Sequence, residues 1–149
     1  MRILTFVLAV GLVYSPLAHA QSLDQQERCA HQARRSFQEI DTQSRVEGKQ
    51  LGMNRVSGDY QSHYNTKLGK CLMLVETTDM LGSQSSTTAY LMDANERRQY
   101  AIYLWISRQD KKYWEVPPTT CELTPNLREK KFCTSREDFD AFVANYMEE

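Results

Sequence analysis

The chain has 149 residues, with 18 basic and 19 acidic side chains, four cysteines and a formal charge of −1. A near-neutral balance with both signs interspersed lacks the basic stripe that a nucleic-acid or anionic-membrane partner requires, so neither partner is expected. The length fits one compact domain rather than two.

The first twenty residues read as an export signal. Arg2 supplies the positive segment, Ile3 to Val13 is an apolar run, and Pro16 breaks it before Ala18-His19-Ala20. Small residues at the last and third-from-last positions are what a signal peptidase accepts, which places cleavage between Ala20 and Gln21. The run falls short of the roughly 20 helical residues that span a bilayer. The expectation is therefore a signal peptide at 1–20 and a single exported domain at 21–149, periplasmic or extracellular. No cysteine stands at the cleavage point to take a lipid, since Cys29 comes first and follows Gln26-Glu27-Arg28. A soluble protein with neither lipid anchor nor membrane insertion is expected.

Leu23 to Ile40 reads as a helix, because Cys29, Ala33, Phe37 and Ile40 recur on one stripe. Asp41 to Asp59 is polar, with three glycines and no clean period, and reads as loop or frayed helix. Tyr60 to Thr66 alternates as a half-buried strand does, and Gly69 marks a bend or bulge. Cys71 to Val75 is apolar on both faces, as a central strand is. Leu81 to Ser86 is a turn cluster, Thr88 to Met92 a strand, and Asp93 to Arg98 a connection. Gln99 to Ser107 is the strongest strand, with Tyr100, Ile102, Leu104 and Ile106 on one face and Ala101, Tyr103 and Trp105 on the other. Tyr113 to Val116 reads as a further strand, stopped by Pro117-Pro118. A last helix starts at Ser135 as N-cap, with Asp138 three residues on and Phe139, Phe142, Val143 and Tyr146 along one side. The fold class is α+β: one small domain with a mainly antiparallel sheet of four to five strands, N- and C-terminal helices and two disulfides.

Four cysteines allow three pairings. Cys29 lies on the apolar stripe of the first helix, and Cys71 shares a strand face with Met73 and Val75 of the kind a helix packs on. Cys121 and Cys133 bracket the charged segment Asn126 to Lys131, which has no apolar period to hold it. Context therefore favours Cys29–Cys71 and Cys121–Cys133. On the chain-entropy account these closures are worth roughly 4 and 3 kcal/mol. Zinc spacings of the C-x2-C or H-x3-H kind do not occur, so no metal or other cofactor is expected.

Chemistry-bearing residues are sparse. His63, in Ser62-His63-Tyr64-Asn65, is the one candidate general base, without a recognisable nucleophile context such as Gly-x-Ser-x-Gly. Tyr103 and Trp105 are the candidate binding residues, on the premise that both helices cover the opposite sheet face and leave theirs open. The stretch Tyr60 to Leu74, with Cys29-x3-Ala33-x3-Phe37 upstream and Tyr90 to Glu96 downstream, resembles a pattern in small exported bacterial proteins of unknown function. That resemblance implies export and a bacterial source, and carries no activity or functional residues. The leading expectation is a binding or inhibitor-type module for a protein or envelope ligand. The alternatives are a small hydrolase or transferase using His63, and a structural envelope component.

Overall fold

The computed structural model describes residues 17–125 and 129–148, with side chains from Leu23 onward. Arg2, the run Ile3 to Val13, Pro16, residues 126–128 of the Cys121–Cys133 loop and Glu149 lie outside the described residues. Two helices enclose one antiparallel sheet. In chain order they are α1 (Leu17–Gln50), β1 (Asn54–Asn65), β2 (Lys70–Leu81), β3 (Gln84–Asp93), β4 (Gln99–Ile106), β5 (Thr120–Leu123), β6 (Lys131–Phe132) and α2 (Arg136–Met147). The strands form a meander in the order β1-β2-β3-β4-β5-β6. Neither β5 nor β6 is among the strands the sequence suggests, and the fifth it suggests, Tyr113 to Val116, is not one of the six.

The first helix runs ten residues past the end of its apolar stripe at Ile40. Asp41 to Gln50 is helical, not loop, because ion pairs and hydrogen bonds replace apolar packing there. Arg45 pairs with Asp41 at i,i+4 (2.6 Å), and Gln43 donates to Glu47 (2.9 Å). Arg55 of β1, its side chain 6 % exposed, donates to Asp41 (2.5 Å), Asp79 (2.7 Å) and Ser44 Oγ (3.0 Å), fixing this half of the helix to β1 and β2. The helix stops in a Schellman motif. Met53 N–H donates to Gly48 O (2.8 Å) and Gly52 N–H to Lys49 O (3.1 Å), while Gly52 takes a left-handed φ of 76° that favours glycine.

Alternation along β2 sets the two-sided core. Cys71, Met73 and Val75 point to α1, where they pack with Cys29, Ala33, Met92 and Ala94. Leu72 and Leu74 point the other way and pack with Leu91, Tyr103, Phe139 and Val143 beneath α2. Burying each large apolar side chain contributes roughly 1.5–3 kcal/mol, so neither face is stable uncovered. The α1 side is further tied by the β3–β4 connection. Asp93, 1 % exposed, accepts from the N–H groups of Asn95 (2.8 Å) and Glu96 (3.1 Å) and pairs with Lys70 (3.2 Å). Ser36 of α1 donates to Ala94 O (2.6 Å), and Arg97 pairs with Glu39.

A register shift between Leu91 and Met92 makes Tyr100 a bulge residue. Its side chain therefore joins the α2 face, with its ring 5.5 Å from Tyr146, instead of sharing the face of Ile102. The outer edge of β1 is partly closed by side chains. The Gln26 amide accepts from Tyr64 N–H (2.9 Å) and donates to Tyr64 O (3.1 Å), pairing as a neighbouring strand would, and Asp59 accepts from Tyr60 N–H (2.8 Å). At α2, Ser135 Oγ accepts from Asp138 N–H (3.2 Å), as its N-cap position predicts. The Asp138 carboxylate reaches one residue beyond the cap, to Thr134 N–H (3.1 Å) and Oγ (3.0 Å), and these bonds hold its pKa below the usual value.

The disulfides are Cys29–Cys71 and Cys121–Cys133, with Cα atoms 5.2 and 5.0 Å apart. The first pins α1 to β2 and the second joins β5 to the segment after β6. Non-reducing peptide mapping should recover these two links and no free thiol. Cys29→Ala should cost roughly 2–5 kcal/mol, because it releases the helix that covers Met73 and Val75. Cys121→Ala, opening the shorter loop, should cost less, and denaturant midpoints order the two. A cross-link between Cys71 and Cys121 or Cys133 would contradict this topology.

Candidate functional site

The helices take opposite faces of the sheet, which corrects the premise of an open Tyr103–Trp105 face. Tyr103 is 2 % exposed and Trp105 9 %. Because α1 is committed by Cys29 to the face of Cys71, α2 packs on the face shared by Leu72, Ala89, Ala101 and Tyr103. The half-exposed face is instead that of Ile102, Leu104 and Ile106, beyond the reach of α1.

The buried aromatics nevertheless build a site at their edge. Tyr113–Glu115 is a short 3-10 turn rather than a strand. Glu115 N–H donates to Lys112 O (3.0 Å), and the Glu115 carboxylate accepts from Lys112 N–H (2.8 Å). These local bonds take the backbone groups a strand would have offered to β4, and Pro117-Pro118 cannot supply replacements. Below the turn, Trp105 Nε1 donates to Val116 O (3.1 Å), and its ring lies 4.8 Å from that of Tyr113. The hydroxyls of Tyr103 and Tyr113 are 3.4 Å apart. Tyr113 and Trp114 consequently stand out from a packed base, 50 % and 76 % exposed.

Between this turn and the start of α2 lies a cleft of about 280 Å³. Its walls are Tyr103, Tyr113 and Trp114 on one side and Arg136 and Glu137 on the other, with Pro117-Pro118 at the margin. Arg136 sits 5.5 Å over the Tyr103 ring and 5.6 Å over Phe139, and is matched by Asp140 (2.7 Å) and Glu76. Burial, and then the hydrogen bond with Tyr113, pushes the Tyr103 phenol well above the usual value.

Larger hollows occur elsewhere among the described residues. One, of about 380 Å³, runs beside Cys29–Cys71, and its cations are already partnered: Arg28 by Asp24 (3.0 Å) and Arg35 by Gln32 (2.8 Å). Another, of about 420 Å³, lies by Leu68, Pro125 and Phe142, next to the undescribed residues 126–128. The aromatic cleft is distinguished by composition, since Trp, Tyr and Arg are the side chains that dominate binding energy at recognition surfaces.

His63 lies on the α2 side of β1, opposite Leu72, in a separate hollow of about 280 Å³ with Gln61, Leu74, Asp140 and Glu148. Its Nε2 is buried and has no hydrogen-bond partner. Asp140 is engaged by Arg136, so no acidic or hydroxyl group orients the imidazole among the described residues. A general base needs such a partner and reach to its substrate. No cluster of three or more His, Cys, Asp or Glu suited to a metal occurs among the described residues either.

Sequence reasoning passed over Tyr113, Trp114 and Arg136. The signal for the first two was their adjacency: in a strand they would point to opposite faces, whereas before Pro117-Pro118 a turn presents both.

The raised Tyr103 phenol has a pH consequence. Above about pH 10 an unfolded tyrosine releases its proton while folded Tyr103 holds its own, so its stabilising contribution, present below that pH, is lost as pH rises. The urea midpoint of the native protein should fall more steeply between about pH 9 and 11 than that of Tyr103→Phe. Parallel curves would contradict the burial assigned to this hydroxyl.

Compared with protein-family models, curated proteins and solved structures, the chain matches none.

Proposed function

We propose that this chain is an exported, disulfide-cross-linked binding module, which engages a protein or envelope ligand through the aromatic cleft between the Tyr113–Glu115 turn and α2. The observation that carries the reading is the exposure of Tyr113 and Trp114 on a turn held from below by Trp105 and Tyr103. Large aromatic side chains fixed in place lose little entropy on binding and bury much apolar area, which is what a recognition anchor needs.

Export rests on the signal-like segment and agrees with the two disulfides, which persist in oxidising compartments. No described helix is long and apolar enough to cross a membrane. Cleavage after Ala20 keeps the contacts that the described α1 side chains make with the sheet, among them those of Gln25 and Gln26 with Tyr64. The hydrolase reading for His63 gains no support from its unpartnered imidazole.

Two measurements test the proposal. The full chain expressed in a bacterial host should appear in the osmotic-shock fraction with Gln21 as its N-terminus. An intact N-terminus in the cytosol would refute export. An aromatic photo-cross-linking residue at position 114, which keeps a large ring in place of the indole, should give a discrete adduct in the envelope fraction, absent when the same residue replaces exposed Val56. Excess native protein should compete it away, and Trp114→Ala should not. Identical adducts from both positions, or none, would refute the cleft as the binding surface.

A further inference from the structure

Resting on that reading, we infer that the cleft recognises a cationic side chain, a lysine or arginine carried on an extended segment of a protein partner. Three charged residues line the cleft: Glu115, Arg136 and Glu137. Arg136 is already matched by two carboxylates, Glu76 and Asp140. Glu115 bonds only a backbone N–H, and neither it nor Glu137 forms an ion pair among the described residues. The walls thus carry two unmatched carboxylates beside exposed aromatic rings. An anionic ligand would meet repulsion there, and a neutral one would leave those charges unused.

Ring chemistry points the same way. The rings of this site already attract cations of the chain itself: Lys112 Nζ lies 5.2 Å from the Trp114 ring centroid and Arg136 lies 5.5 Å from that of Tyr103. The face of an aromatic ring carries negative potential, and a nearby carboxylate adds to it. Lys112 does not line the cleft, so its place over Trp114 shows what the ring holds without filling the cavity. With Trp114 76 % exposed, a second cation can approach the indole from the cleft side, between Glu115 and Glu137.

The remaining surface accounts for an extended segment rather than a lone ion. Tyr113, Val116, Pro117 and Pro118 supply an apolar margin to either side of the acidic pair. Pro-rich extended chains suit aromatic-lined grooves because little conformational entropy remains for them to lose.

The test uses the oxidised protein and four probes: the capped pentapeptides Ala-Pro-Lys-Pro-Ala, Ala-Pro-Gln-Pro-Ala and Ala-Pro-Glu-Pro-Ala, and spermidine. Binding is read from the broadening of each probe's own proton resonances, which serves every variant alike, and is placed in the cleft by the shift of the Trp114 indole N–H resonance, assigned by its loss in Trp114→Phe. The lysine peptide should bind about tenfold more tightly than the glutamine peptide, and the glutamate peptide more weakly still. Glu137→Gln should weaken the lysine peptide about threefold, and Trp114→Ala should abolish its binding. Both positions are exposed, so both variants should fold as the native protein does. Equal binding of the three peptides would overturn the cationic preference and leave the cleft reading standing. Silence of every peptide at millimolar concentration, with the position-114 adduct still formed, would do the same. Spermidine binding as tightly as the lysine peptide would replace a protein segment by a small polycation, and so overturn the proposal. Loss of the adduct itself would instead remove the functional reading on which the inference rests.

Discussion

Burial of β2 on both faces is the constraint from which the rest of the structure follows. A strand reading Cys71-Leu72-Met73-Leu74-Val75 has no solvent side, so the sheet needs cover above and below. The two described helices supply it. Cys29–Cys71 decides their distribution, because it ties α1 to the odd-numbered face, and α2 takes the face of Leu72 and Leu74. Tyr103 and Trp105 lie on that second face and are buried with it. Space for the connection after β4 is then limited to the rim of the sheet, and there Tyr113 and Trp114 turn outward.

The proposed binding surface is in this sense a by-product of how the core closes. Trp105 fills the α2-side core and also supports Tyr113, and Tyr103 is at once a neighbour of Phe139 and the floor of the cleft. Arg136 has a similar double position, covering both rings while its carboxylate partners neutralise it. Tyr113, packed on Trp105 and bonded to Tyr103, would lose little freedom on meeting the proposed ligand, which lowers the entropy cost of binding.

Much of the fold was legible in the sequence, for reasons that can be stated residue by residue. The stripe Cys29-Ala33-Phe37-Ile40, the doubly apolar Cys71 to Val75 and the Ser135 cap are local patterns, and each forms the element it suggests. The cysteine pairing followed from which faces needed fastening. What escaped depends on partners distant in sequence. Asp41 to Gln50 is helical through Arg55 and Asp79, residues that no local period reveals. Tyr100 changes face through a bulge set by its pairing with β3. The face that α2 would cover was also hidden, since alternation defines two faces of a strand without saying which helix lies on which. That one ambiguity misplaced the open surface, and with it the aromatic residues that reach solvent.

Proton–proton contacts between aromatic rings test the two-sided core most directly. A nuclear Overhauser spectrum of the oxidised protein should connect Phe139 with Tyr103, and Phe37 with Tyr60, whose ring centroids are 5.7 and 4.8 Å apart. It should show no contact between Phe139 and Tyr60, which lie on opposite faces of the sheet. Contacts from Phe37 and Phe139 to residues of one and the same face would contradict the account, and would return Tyr103 and Trp105 to an uncovered surface.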